Sequence, residues 1–254
     1  MSFTGERLPG EGDDFAVDRE RHLAAYRFAR AHAAGCTVLD AGCGEGYGAA
    51  LLAEVAAHVL GIDRPEAVRV AAARHRAPRL AFRAQDLGHL DALGERFDLV
   101  VSFQVIEHVP DPAGFLAALA ARGDALVVTT PNRLMSVSEN PYHLREWTAP
   151  ELLAFAAPLV PGARLLGVHG SPRVLARERA RGAQVRRLLG WDPLGLRRLL
   201  PAAVVQRAFP RLARLVRRRL AASEGVPAVG PEDFGVGADH LDTALDLVLV
   251  RGLA

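Results

Sequence analysis

The 254-residue sequence contains no lysine, so all 31 of its basic residues are arginine. Cysteine is nearly absent as well. Cys36 and Cys43 cannot build a disulfide framework, and neither has a second thiol at metal-ligand spacing, which suits a reducing compartment. The longest uncharged apolar run, LLAFAAPLVPGA at residues 152–163, is too short to span a bilayer and carries two prolines. Residues 1–20 are polar and acidic and have no apolar h-region, so a soluble, cytoplasmic protein is expected. The formal net charge of +2 hides a segregation: 14 arginines between Arg173 and Arg219 face only two acids, Glu178 and Asp192. Codon bias accounts for arginine in place of lysine. It does not account for the clustering.

What is present has a rhythm. Six short runs rich in Val and Leu read as buried strands: residues 36–41, 58–63, 79–84, 97–102, 125–130 and 163–168. Segments of helical composition separate them, and Thr148 with Glu151 has the spacing of a capping box. Another helix, over 20–31, precedes the first strand, with His22 and Tyr26 one turn apart. Strand–helix–strand units of this length predict parallel pairing through right-handed crossovers, with helices on both sheet faces. Residues 171–236 interrupt the pattern with arginine-rich helical pieces, and HLDTALDLVLVRG at 240–252 returns to strand character. The expectation is one α/β domain over 1–254: a core at 36–170, a basic helical insertion at 171–236 and a last strand at 237–254.

TVLDAGCGEGYG ends the first strand in Asp40 and then places Gly42, Gly44, Gly46 and Gly48 at alternate positions. Such glycines permit a tight turn whose backbone N–H groups and following helix N-terminus face a ligand. In open α/β sheets ligands bind outside the carboxyl ends of the strands. The second strand ends in Asp63, the third runs into AQDL with Asp86, and the fourth into SFQVIEHVPDP.

Across 36–170 this order and spacing resembles the class I S-adenosylmethionine-dependent methyltransferases. The resemblance implies a Rossmann-like, mostly parallel sheet of seven strands, the last inserted antiparallel, and S-adenosyl-L-methionine as cofactor. It implies that Asp40 and the loop Gly42, Cys43, Gly44 and Gly46 lie against the amino-acid part of the cofactor. Asp63 and Arg64 would meet the ribose, Asp86 and Leu87 the adenine, and Gln104 the methionine end. His108 is the candidate general base, because an imidazole titrates near neutrality, and Glu107 would orient it or bind an acceptor hydroxyl. QVIEHV also resembles the E-x-x-E-H segment of ubiquinone-biosynthesis O-methyltransferases, where acids and histidine are associated with a divalent metal. Gln104 replaces the first acid, and a neutral amide is a poor ligand for a hard cation, so no metal site is expected.

The segments RHLAAYRFA and NPYHLREWT resemble a bacterial branch associated with polysaccharide and glycoconjugate assembly. Tyr26, Asn132, Tyr142, His143, Arg145 and Trp147 are accordingly candidate substrate-binding residues, for stacking on a sugar and gripping its hydroxyls. Tyr142 and Trp147 read equally well as packing their loop down. O-methylation of a sugar or glycoconjugate hydroxyl is the expected reaction, with a quinone or lipid phenol as alternative acceptor. A cofactor-binding partner subunit without chemistry is the alternative from another class. For the arginine-rich insertion three readings stand: a solvated helical cap, peripheral membrane contact through 194–220, or nucleic-acid binding. Nucleic acid is disfavoured, since only Trp191 and Phe209 interleave the arginines and no N/D-P-P-Y/F follows strand four.

Overall fold

The computed structural model describes residues 16–136, 140, 142–189 and 229–253, with the backbone alone at Ala16 and 184–189. Helix α1 (Ala16–Ala31) leads into β1 (Thr37–Ala41), α2 (Tyr47–Ala53), β2 (His58–Asp63), α3 (Pro65–Arg74) and β3 (Leu80–Ala84). Then follow β4 (Phe97–Phe103), α4 (Pro112–Arg122), β5 (Gly123–Pro131), α5 (Ala149–Ala156), β6 (Arg164–Gly170) and α6 (Pro172–Leu189). Strands β7 (Phe234–Gly237) and β8 (Asp246–Arg251) complete the order. Pro65 opens α3 and Pro112 opens α4, where a missing N–H costs nothing. Glu151 Oε2 accepts from the Thr148 N–H at 2.8 Å, closing the capping box that starts α5.

The strands form one sheet in the order β3-β2-β1-β4-β5-β8-β6-β7. Strands β1 to β5 pair in parallel, and β8 lies antiparallel between β5 and β6. The sheet has eight strands, not seven. The addition is β7, an edge strand pairing antiparallel with β6 inside the stretch expected to be helical insertion. FGVG is too short and too rich in glycine to read as a strand alone; it acquires that form from the open edge of β6. The last strand also begins later than expected, because residues 241–243 form a short turn. Helix α6 opens the arginine-rich segment, while residues 190–228, including the expected membrane contact at 194–220, lie outside the described residues.

Alternation along the strands divides the core. Leu39, Leu60, Ile62, Val100, Leu126, Leu247 and Leu249 face α4 and α5. Val38, Leu99, Val101, Phe103, Val127, Val248 and Val250 face α1 and α2. Each such side chain taken fully from water contributes about 1.5–3 kcal/mol. With a period of two, Asp40 shares the face of Val38, so its carboxylate is directed toward α1. The register pairs Asp40 with Gly61 of β2 and Val101 of β4, which places the carboxyl ends of the three strands together.

Candidate active site

The glycine loop leaves β1 with its backbone held against the next strand. The Gly42 and Cys43 N–H groups both donate to the Ile62 carbonyl, at 2.8 and 3.1 Å. Gly42, Gly44 and Gly46 have φ of 90, 55 and 84°, a left-handed conformation that side chains disfavour. At Gly42 a Cβ would come within 2.4 Å of Val105 Cγ2, whereas at Gly44 nothing stands within 4 Å of that position. Gly44 therefore opens onto space.

Asp63 closes the loop from β2. Its Oδ2 accepts from the Gly44 N–H at 2.9 Å and its Oδ1 from the Arg64 N–H at 2.6 Å. The Gln85 N–H donates to the Asp63 carbonyl at 3.0 Å, which brings the AQDL segment alongside. Asp86 is exposed and its Oδ1 caps the Gly88 N–H at 2.9 Å, beginning the short turn Leu87–Leu93. Asp40 is fully buried, and the Tyr26 hydroxyl stands 3.2 and 3.1 Å from its two oxygens. Burial raises the Asp40 carboxyl to about 7, Tyr26 opposes that rise, and the Asp63 charge adds to it.

A second polar cluster lies past β4. Gln104 has φ of 57°, unusual for a residue with a side chain, and its N–H donates to the Thr129 carbonyl at 3.1 Å. Such strain concentrates at working sites. Glu107 has no exposure; Thr130 Oγ1 donates to its Oε2 at 3.2 Å, while Oε1 is buried without a partner. Burial raises the Glu107 carboxyl to about 8, against the hydrogen bonds that lower it. Oε1 lies 3.9 Å from His108 Nε2. His108 Nδ1 lies 2.9 Å from the Tyr142 carbonyl, a pure acceptor, so Nδ1 carries a proton and the neutral ring has its lone pair on Nε2. The His143 ring meets that of His108 edge-on at 4.8 Å, and its Nδ1 lies 2.5 Å from Glu146 Oε1.

Three expected substrate contacts fall elsewhere. Tyr26 is buried on Asp40 rather than open to an acceptor. Trp147 has no exposure and packs against Phe155 at 5.6 Å, with the Arg145 guanidinium 5.2 Å above its ring. Asn132 is spent on backbone: its Nδ2 donates to the Leu241 and Ala244 carbonyls and its Oδ1 accepts from the Leu134 N–H. Trp147 and Asn132 sit where the 131–147 excursion leaves and rejoins the sheet, so hydrophobic burial and unmet carbonyls claimed them. Tyr142 and His143 do reach His108. Cys43 contributes backbone to the loop while its side chain is buried.

Glu107, His108 and His143 each offer a ligand atom, all within 4.8 Å of one another. Glu107 Oε1 has no hydrogen-bond partner, but His143 has both ring nitrogens engaged, Nδ1 with Glu146 and Nε2 at 2.9 Å from Asn140 Nδ2, so a divalent ion of the imidazole-binding kind would have to displace one of those contacts. The sequence also points away from a metal, because Gln104 occupies the expected acidic position. His143 lies 35 residues beyond His108, and nothing in local spacing announces it. The same holds for Arg21 and Asp246: Arg21 Nε donates to Asp246 Oδ2 at 2.7 Å, joining α1 to β8.

Residues 32–155 match the family model for a methyltransferase domain. Over those residues, just under half of its length, the chain is similar to a methyltransferase domain. It is 42% identical over 161 residues to a probable S-adenosylmethionine-dependent methyltransferase of Mycolicibacterium smegmatis, covering 60% of this chain and 62% of that protein. It is also 42% identical over 108 residues to a ubiquinone biosynthesis O-methyltransferase of a Methylobacterium, covering 40% of this chain and 43% of the relative. The chain thus spans less than two thirds of the curated relatives it matches. A solved structure of the [4+2]-cyclase SpnF superposes over 96% of this chain and 86% of its own, with TM-score 0.53 and 21% identity, a likeness of fold. Such a domain's cofactor chemistry fits the site: buried carboxylates end β1 and β2, and a loop open at Gly44 lies between them.

Proposed function

We propose that the protein transfers a methyl group from S-adenosylmethionine to a hydroxyl of a small molecule or glycan. The cofactor, when bound, supplies an electrophilic sulfonium methyl. This chain's part is then to align an acceptor oxygen and take its proton. The observation that carries the reading is the His108 imidazole: its Nδ1 proton is committed to the Tyr142 carbonyl, which leaves Nε2 as base beside the buried Glu107. Asp40, Asp63 and the glycine loop would hold the cofactor, and Tyr142 and His143 would border the acceptor. If a divalent ion binds, Glu107, His108 and His143 would hold it, and it would acidify an acceptor hydroxyl as a Lewis acid. We favour a sugar hydroxyl, for the polar groups of the 140–147 loop.

A lipid phenol is the second reading, favoured by Leu144, which is 63% exposed beside His143, and by the similarity over 108 residues to a ubiquinone biosynthesis O-methyltransferase. No described helix is long and apolar enough to cross a membrane, so such an acceptor would be met at a surface. The deciding experiment supplies purified protein and S-adenosylmethionine with either water-soluble saccharide fractions or solvent-extracted lipids. S-adenosylhomocysteine production together with an acceptor one methylene heavier identifies the class. Persistent absence of turnover with every fraction, although cofactor binds, would favour a non-catalytic partner subunit.

A further inference from the structure

Helix α1 buries polar groups among the alanines of its core face, Ala24, Ala25 and Ala29. Arg21 donates to Asp246 and to the Leu245 carbonyl, His22 Nδ1 meets the Tyr47 hydroxyl, and Tyr26 meets Asp40. Burying polar groups costs free energy unless each is matched, and leucine would fill such positions without that demand. The three partners stand at the ligand ends of β8, α2 and β1. Tyr26 is the most confined: its ring meets Phe103 at 4.6 Å and His22 at 5.2 Å, both edge-on, and leans on Gly48, where a Cβ would overlap it. Among the described residues Asp40 forms no ion pair with an arginine or histidine, so the carboxylate is buried without a cation.

We propose that Tyr26 is a positioning residue for the amino-acid end of the cofactor, its hydroxyl holding the Asp40 carboxylate in the orientation that receives the cofactor ammonium. The inference rests on the assignment of Asp40 to that end. Tyr26 of α1, Asp63 of β2 and Tyr47 of α2 interact with Asp40, Cys43 of the loop acts on Tyr26, and His22 meets the Tyr26 ring edge-on at 5.2 Å. Burial holds His22 at about 4 and lifts both tyrosines, so none of these three changes charge between about pH 6 and 8.5. Asp40, raised to about 7, does. An ammonium pairs with the ionised carboxylate, so affinity should strengthen as pH rises through the titration of Asp40. A hydroxyl donating to that carboxylate favours ionisation, and its removal should displace the rise to higher pH.

The test is calorimetric titration of the full chain with S-adenosylhomocysteine, which keeps the amino-acid end and undergoes no transfer. Wild type, Tyr26→Phe, Asp40→Asn, their double variant and Asp63→Ala are compared between about pH 6 and 8.5. Phenylalanine retains the ring and its packing, and circular dichroism checks each fold. We expect Tyr26→Phe to weaken binding roughly tenfold at about pH 7, as for a lost hydrogen bond to a charged group. The loss should shrink toward the alkaline end, and the double variant should bind no more weakly than Asp40→Asn. A merely structural tyrosine would give a loss independent of pH and additive with Asp40→Asn, and that outcome overturns the proposal. Unchanged affinity in Tyr26→Phe, while Asp40→Asn and Asp63→Ala weaken binding, overturns the tyrosine's role alone. Wild-type binding in both aspartate variants overturns the cofactor assignment beneath it.

Discussion

Replacing Gly48 with alanine sets two effects of known size against each other. Gly48 lies in the first turn of α2, and alanine in a helix is favoured over glycine by about 1 kcal/mol. Its Cβ, however, would stand 2.0 Å from Tyr26 Cζ and 2.3 Å from both Cε atoms. That ring cannot simply swing away, since Phe103 and His22 hold its edges and its hydroxyl is engaged with Asp40. Restoring ordinary contact needs a shift of more than an ångström, and overpacking of this kind costs about 1–3 kcal/mol. Loss of the bond to the Asp40 carboxylate adds about 1.5–3 kcal/mol. Repulsion wins, and the net destabilisation should be about 2–5 kcal/mol. Urea unfolding would show it as a lowered midpoint at unchanged slope. S-adenosylhomocysteine affinity should fall in the same variant. Gly35→Ala is the control: with φ of 71° and nothing within 4 Å, it carries only the left-handed penalty of about 1–2 kcal/mol and should leave affinity alone. A Gly48→Ala protein as stable as wild type, binding ligand equally well, would refute the reasoning about this contact.

Asp63→Ala should weaken S-adenosylhomocysteine binding by about 1–3 kcal/mol, read by calorimetry, because it removes both a candidate ribose acceptor and the anchor of the Gly44 N–H. His108→Ala should slow methyl transfer roughly a hundredfold or more at nearly constant cofactor affinity, and full-rate turnover would discard His108 as base. Glu107 and Asp40 have folded-state values raised by burial, to about 8 and about 7, so the fold prefers them protonated. The stability they contribute is fully present below their unfolded values of about 4 and is lost as pH rises toward about 8. The urea midpoint of the ligand-free protein should accordingly fall between about pH 6 and 8.5, and Glu107→Gln should flatten part of that fall. His22, lowered from 6.5 to about 4, acts with the opposite sign, removing stability as pH drops through that interval.

Local patterning sufficed wherever a residue's role depended on its neighbours in the chain. Buried parallel strands are near-continuous apolar runs, so the first six were legible to within a few residues. Asp40, the alternating glycines and Asp63 were legible because a turn that bares backbone N–H groups needs glycine and leaves a carboxylate at the strand end. β7 was not, since a four-residue strand with two glycines exists by virtue of the edge it joins. Trp147 and Asn132 looked like ligand-facing residues because aromatics and amides serve burial and binding alike. Which use prevails depends on where the loop closes.

The sequence by itself determined the first six strands and the helices between them, the glycine-rich loop with its bared N–H groups and the acidic strand ends, all products of short-range sterics and hydrophobic period. Only the tertiary structure decided that Tyr26 meets Asp40, that Arg21 meets Asp246, and that His143 joins Glu107 and His108. Those partners are brought together by sheet register and helix docking. Long-range packing is a property of the whole chain's burial, which no short stretch encodes.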